Sequence, residues 1–133
     1  MELIVDANVI ISILVSPSGK TCELFFSEKF ILYAPEYLIE EIEKHKLEIL
    51  EKSKISKEEF ERLLTLVSAN IEFISFIEFK DFISEACKIC PDPNDIEYLA
   101  LSLKLKCSLW SNDKKLKNEL VKVFTTSEIL KMF

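Results

Sequence analysis

The stretch ELIVDANVI, residues 2–10, decides the fold of this chain. Residues 2–6 read as a short strand that is too apolar to alternate, which is typical of a strand buried on both faces of a sheet. A helical pattern of apolar residues follows at once, beginning with Val9 and Ile10. A buried strand that leads directly into a helix predicts an α/β protein with a parallel sheet.

The rest of the chain continues this alternation of strands and helices. The predicted strands are residues 2–6, 30–34, 71–75, 107–111 and 121–125. The predicted helices are residues 9–14, 21–27, 35–53, 56–69, 81–90 (ending at Pro91) and 93–106, with a last short helix capped by residues 125–128. This order favours one α/β domain over residues 1–133, with helices covering both faces of the sheet.

The composition is that of a soluble globular protein. The 133 residues fit one domain, and 49% of them are hydrophobic while 30% are charged. The most apolar stretch, residues 3–15, is interrupted by Asp6 and is shorter than the roughly 20 residues that cross a bilayer. The N-terminus carries Glu2 and lacks the basic region of a signal peptide, so we expect a cytoplasmic protein.

The charge is distributed unevenly along the chain. The formal net charge of −6 argues against a general phosphate-binding protein. Residues 104–122, however, contain six lysines and two acids, and 6 − 2 gives a local charge of +4. This segment is either a basic strip that contacts nucleic-acid phosphates or a solvated lysine-rich surface, and the sequence leaves both interpretations open.

Cys87 and Cys90 have the CxxC spacing of some redox and zinc sites. A structural zinc site would normally bring a second such pair, whereas the other cysteines are single and His45 is the only histidine. A helix would place both thiols on one apolar face. We therefore predict reduced, buried thiols in preference to a redox or zinc site.

Three acids are predicted at one edge of the sheet. Asp6 ends the first strand, Asp113 lies just past the fourth, and Asp95 lies in the first turn of the helix that leads into the fourth. Ligands of parallel α/β sheets bind beyond the carboxyl ends of the strands. Glu41 lies at the border of the apolar face of its helix, where its side chain can point into a cleft.

Four carboxylates without histidine or cysteine suit hard cations such as Mg²⁺ or Mn²⁺. Each acid alone has a simpler interpretation. Asp6 can cap a helix, Asp95 can stabilise a helix N-terminus through the helix dipole, and Asp113 can be a turn residue. Glu41 can be a surface residue. Together, with three acids converging on one sheet edge, they favour a metal site.

Four segments, taken in order, resemble the motifs of PIN domains. They are VDANV (residues 5–9), EEI (40–42), DPND (92–95, followed by YLAL) and WSNDKKL (110–116). The resemblance implies a three-layer α/β/α sandwich with a five-stranded parallel sheet. It also implies an Mg²⁺- or Mn²⁺-dependent nuclease that usually cuts RNA. Many members are VapC-type toxins with a protein antitoxin, although residues 36–69 depart from the toxin pattern, and homodimers are common.

The resemblance also implies roles for particular residues. The acidic quartet of the family falls on Asp6, Glu41, Asp95 and Asp113. The polar residues of the family near these acids fall on Asn8 and Ser111, which are expected, together with Asp92, to support the carboxylates. The basic strip separately predicts that Lys114 or Lys115 contacts a substrate phosphate. His45 is left out of the site, since a lone histidine on a charged helix is more often solvated.

Three other classes of protein are considered. A receiver domain needs an aspartate at the end of its third strand, which here ends near Ser75. A dehalogenase-like phosphatase needs a second aspartate two residues after the first, where this chain has Asn8. The more serious rival is a non-catalytic PIN-like module that binds RNA or a protein, and the intact quartet argues against it.

Overall fold

Five strands form one parallel sheet in the computed structural model, which describes residues 1–90 and 92–133. The strands are β1 (Glu2–Val5), β2 (Ile31–Pro35), β3 (Ile71–Ile74), β4 (Ser108–Trp110) and β5 (Val123–Phe124). Their order in the sheet is β3-β2-β1-β4-β5, and every neighbouring pair is parallel. The predicted α/β fold with a five-stranded parallel sheet is confirmed.

Helices cover both faces of this sheet. Within the described residues they are α1 (Ala7–Val15), α2 (Lys20–Phe25), α3 (Tyr37–Lys44), α4 (Lys46–Ser53), α5 (Lys57–Ala69), α6 (Phe76–Phe79), α7 (Ile83–Ile89), α8 (Pro93–Leu105) and α9 (Thr126–Leu130). Helices α2 to α5 pack against α1, whereas α6 and α7 pack against α8. None of the helices in these ranges has the length and apolar character required to cross a membrane.

The strand order reverses at the middle of the sheet. The chain moves outward from β1 to β2 and β3, and then returns past β1 to form β4 and β5. Crossovers between parallel strands are right-handed. This reversal therefore places α1 and the helices packed against it on one face of the sheet, and α8 with α6 and α7 on the other. The carboxyl ends of β1 and β4 therefore border the crevice in which α/β proteins bind their ligands.

The core beneath this crevice is apolar and contains one buried tryptophan. Trp110 at the end of β4 is fully buried, and it packs against Phe25 and Phe30. Its indole Nε1 donates a hydrogen bond to Thr126 Oγ1 at 3.0 Å. Aromatic packing and this hydrogen bond thus hold the end of β4 in place directly before the loop that carries Asp113.

Two of the predicted helices differ from the structure. The prediction of a single helix over residues 35–53 is wrong, since the chain leaves helical geometry at His45 and continues as a second helix. Pro35 ends β2, where it pairs with Ile74, instead of starting a helix. The helix over 81–90 begins instead as a 3₁₀ turn at residues 80–82 and continues as α7, while its predicted end at Pro91 lies outside the described residues.

The expectation of two buried thiols in the CxxC segment is wrong for one of them. Cys87 on α7 is exposed, whereas Cys90 is half-buried. Cys90 has left helical geometry, with φ −146° and ψ 118°, so a regular helical face does not extend to it. The cysteines of the chain are free thiols, as predicted.

Candidate active site

Asp6 lies between β1 and α1, but its side chain does not cap the helix. Ser111, which directly follows β4, donates from its Oγ to Asp6 Oδ2 at 2.7 Å, and both residues are buried. Burial raises the pKa of Asp6, and the hydrogen bond from Ser111 opposes part of that rise. The backbone N–H groups of Ala7 and Asn8 lower the pKa of Asp6 as well, so its carboxylate faces the first turn of α1 while Ser111 holds it from the side of β4.

Asp113 is connected to Asp6 through the same serine. The backbone N–H of Asp113 donates to Ser111 Oγ at 3.1 Å, and the negative charge of Asp113 adds to the rise in the pKa of Asp6. Asp113 also acts as a turn residue, because its Oδ1 accepts from the backbone N–H of Lys115 at 2.9 Å. The turn fixes the carboxylate at the carboxyl end of β4.

Asp95 enters the site from the first turn of α8. Asp92 caps this helix by accepting from the backbone N–H of Asn94 at 3.0 Å, and Pro93 occupies its first turn. Asp95 is buried, and its pKa is raised to about 6 by burial and by the charges of Asp6, Asp92 and Asp113. Cys90 Sγ lies 4.0 Å from Asp95 Oδ2.

Glu41 approaches the same region from α3 and is half-buried. Its pKa is raised to about 7, chiefly by burial, with further contributions from the charges of Asp6 and Asp95. Tyr98 on α8 donates a hydrogen bond to Glu41 Oε1 at 2.5 Å. Sequence reasoning did not assign Tyr98 to the site, because the two residues are separated by 57 positions and nothing local relates them.

The donor set of this four-carboxylate cluster suits a hard divalent cation. The four acids supply oxygen donors, and a bound cation would offset the like charges that raise the pKa values of Asp6, Glu41 and Asp95. Across residues 1–90 and 92–133, however, no three His, Cys, Asp or Glu side chains converge closely enough to hold an ion as they stand. The residues fit the chemistry of the ion, and binding would require the side chains to draw together.

The remaining predicted residues lie on the surface of the protein. Asn8 is exposed in the first turn of α1, and Lys114 and Lys115 are exposed directly after Asp113. The positive charge of Lys115 lowers the pKa of Asp95, which indicates that this lysine lies within electrostatic reach of the cluster. His45, which lies between α3 and α4, is exposed and pairs with Glu48 of α4.

The fold and these residues define an α/β protein with acids that influence one another where its strand order reverses. The sequence pattern of the PIN domain matches residues 4–133, and the chain therefore belongs to the PIN domain family. A similar solved structure is VapBC2 from Rickettsia felis bound to a DNA fragment from their promoter. The two chains share 14% identity and a TM-score of 0.72 over 94% of this chain and 98% of that one, which shows a common fold. No curated protein matches this chain in sequence.

Proposed function

We propose that this chain is a metal-dependent endoribonuclease that hydrolyses RNA phosphodiester bonds at the four-carboxylate cluster. The observation that carries the proposal is the mutual electrostatic influence of acids from separate segments at the strand-order reversal. The charge of Asp6 raises the pKa of both Glu41 and Asp95, and Asp113 raises that of Asp6. Such a concentration of charge is destabilising unless bound protons or a cation offset it, and membership of the PIN domain family supports a nuclease.

The proposed cofactor is Mg²⁺ or Mn²⁺, held by Asp6, Asp95 and Asp113, with Glu41 completing the site directly or through water. When bound, such an ion lowers the pKa of a water molecule and neutralises negative charge that develops on a phosphodiester. The neighbouring polar residues keep the carboxylates in place. Ser111 does so through its hydrogen bond to Asp6, while Asn8 and Asp92 are proposed to support the first turns of α1 and α8.

Lys114 and Lys115 are proposed to contact a substrate phosphate beside the cluster, because both are exposed and follow Asp113 directly. The proposed products carry a 5′-phosphate and a 3′-hydroxyl. We infer that neither a lysine nor His45, which is exposed and paired with Glu48 at 3.4 Å, is placed to drive the alternative route through the RNA 2′-hydroxyl.

The test is cleavage of a mixed single-stranded RNA pool with added Mn²⁺. We expect cleavage that stops with EDTA and that falls at least about a hundredfold in Asp6→Asn, which keeps the shape of the side chain but removes its charge. Cleavage that survives both changes, or products that end in 2′,3′-cyclic phosphate, would contradict the proposed mechanism.

The second candidate function is a non-catalytic PIN-like module that binds RNA or a protein. It is favoured by the absence, within the described residues, of three acids gathered around one point. Thermal unfolding with and without Mn²⁺ separates the two candidates. A nuclease should be stabilised by Mn²⁺ and lose that stabilisation in Asp6→Asn, whereas a module without a metal site should respond in neither form.

We also propose a protein antitoxin as partner, a homodimeric assembly and a cytoplasmic location. The support for the antitoxin is the similarity to VapBC2, whose solved structure is a complex bound to promoter DNA. A reading frame directly upstream that encodes a small ribbon-helix-helix or AbrB-like protein would support the assignment. Co-purification of that protein with this chain would test it directly.

A further inference from the structure

Two tyrosine hydrogen bonds connect α3 with α8. Tyr98 of α8 donates to Glu41 Oε1 of α3 at 2.5 Å, and Tyr37 of α3 donates to Asn94 Oδ1 of α8 at 3.3 Å. In each helix the two participating residues are four positions apart, so they lie on the same side. Because α3 and α8 cover opposite faces of the sheet, these bonds bridge the two helical layers at the edge that carries the acids.

The Tyr98 bond is the buried one of the two. Tyr98 is 0% exposed, and it lies one turn after Asp95 on α8. A buried hydroxyl needs a hydrogen-bond partner, and a bond to a carboxylate is stronger than one between neutral groups. Glu41 supplies this partner, so the bond fixes the carboxylate of α3 relative to the helix that carries Asp95.

Glu41 needs such a restraint in the metal-free protein. Its carboxylate is half-buried and lies within the electrostatic reach of Asp6 and Asp95, whose negative charges repel it. The polar side of its helix is open to solvent, with Glu40, Glu43 and Lys44 all exposed. Without an attractive contact on the cluster side, desolvation and repulsion would both favour rotation of the Glu41 side chain toward water.

We propose that Tyr98 is a positioning residue that holds Glu41 at the four-carboxylate cluster and so prepares the site for a divalent cation. This inference rests on the proposed function, since it assumes that Glu41 takes part in metal binding. Tyr98 itself touches neither the ion nor the substrate. It acts through the orientation of one carboxylate, which is how residues behind metal ligands commonly control affinity.

The first test measures Mn²⁺ affinity from the electron paramagnetic resonance signal of the free ion. We expect Tyr98→Phe to bind Mn²⁺ about tenfold to a hundredfold more weakly than the wild type, the range seen when such supporting contacts are lost. Tyr33→Phe is the matched control, because Tyr33 donates to Glu2 Oε1 at 2.8 Å and Glu2 lies at the opposite end of β1. This control should keep the wild-type affinity.

A double-mutant comparison separates positioning from a general structural effect. If Tyr98 acts through Glu41, then Glu41→Ala combined with Tyr98→Phe should bind Mn²⁺ no more weakly than Glu41→Ala alone. A further loss of affinity in the double variant would overturn the proposal. Unchanged affinity in Tyr98→Phe alone would also overturn it while leaving the proposed function intact, whereas a wild-type chain that binds no Mn²⁺ would overturn both.

A second measurement needs no metal. Carbodiimide labelling followed by mass spectrometry reports how accessible each carboxylate is, and Glu41 should be labelled faster in metal-free Tyr98→Phe than in the wild type. Glu2, which is already exposed, serves as the internal reference. Circular dichroism of the same sample checks that removal of one oxygen atom leaves the fold intact. Equal labelling of Glu41 in both proteins would overturn the positioning role.

Discussion

Asp6 shows how one side chain can serve a site at a cost to the stability of the fold. Burial raises its pKa, so its ionised form is held in an environment that disfavours charge. Asp6→Asn should therefore lower RNA cleavage at least about a hundredfold. The same variant should increase the free energy of unfolding of the metal-free protein at neutral pH, measured by urea titration in EDTA.

Asp81→Asn is the control for this prediction, because Asp81 is exposed in a 3₁₀ turn and supplies no proposed ligand. It should change neither cleavage nor stability appreciably. A loss of stability in Asp6→Asn would mean that its hydrogen bond from Ser111 outweighs the burial of its charge.

The two lysines after Asp113 give a second prediction at the residue scale. Lys114→Ala combined with Lys115→Ala should weaken RNA binding and reduce the slope of log K against log salt by about 1.4, if each lysine neutralises one phosphate of a single strand. Lys104→Ala with Lys106→Ala removes the same charge from the same predicted basic strip, at the end of α8 away from Asp95. An equal reduction in both double variants would mean that the strip acts only through its overall charge.

Single residues also show what the sequence could and could not predict about the site. Ser111 was expected to support the carboxylates, and its hydroxyl does contact Asp6, because neighbouring parallel strands bring their carboxyl ends together. The contact between Tyr98 and Glu41 was not foreseen. It depends on how two helices on opposite faces of the sheet approach one another, and no periodicity within either helix carries that information.

At the scale of elements, α8 brings Asp95 to the cluster, and its N-cap fixes where the helix begins. Asp92→Ala should lower the free energy of unfolding by about 1 kcal/mol through loss of the cap. It should also weaken Mn²⁺ binding, since the first turn carries Asp95. Isothermal titration calorimetry and urea unfolding measure the two effects.

Ser56→Ala provides the matched control for that prediction. Ser56 caps α5 by accepting from the backbone N–H of Glu59 at 3.1 Å, and α5 supplies no proposed ligand. It should cost a similar amount of stability and leave Mn²⁺ affinity unchanged. If both caps weaken Mn²⁺ binding equally, then the effect of Asp92 reflects stability alone and not the placement of Asp95.

The break at His45 shows why element boundaries were less predictable than element order. Buried Leu38, Ile42 and Ile49 are spaced as they would be in one continuous helix, and no Gly or Pro interrupts them. The backbone nevertheless leaves helical geometry at His45, with φ −100° and ψ 4°. Both α3 and α4 pack against α1, so tertiary packing, and not local propensity, accompanies the bend.

On the scale of the whole molecule, the sheet topology determines where charge accumulates. The chain has a net charge of −6, and acids from separate segments influence one another near the strand-order reversal, while Lys114 and Lys115 follow Asp113 directly in the sequence. Part of the lysine-rich segment is used structurally, since Lys117 Nζ lies 2.7 Å from Glu128 Oε1. Lys117 is therefore used within the fold, and the phosphate contact of Lys114 and Lys115 stays a prediction.

This concentration of acids predicts how the stability of the metal-free molecule depends on pH. The pKa of Glu41 is raised from 4.5 to about 7, so the folded state binds more protons than the unfolded state between these values. The stability associated with protonated Glu41 is fully present below pH 4.5 and is lost as the pH rises through about 7.

Glu41→Gln cannot ionise, so its free energy of unfolding in EDTA should increase relative to the wild type across this interval and then level off. Urea titrations from pH 4.5 to 8 measure this difference, and saturating Mn²⁺ should reverse it by favouring the ionised carboxylate. A difference that stays constant with pH would show that Glu41 is not titrating under the influence of the cluster.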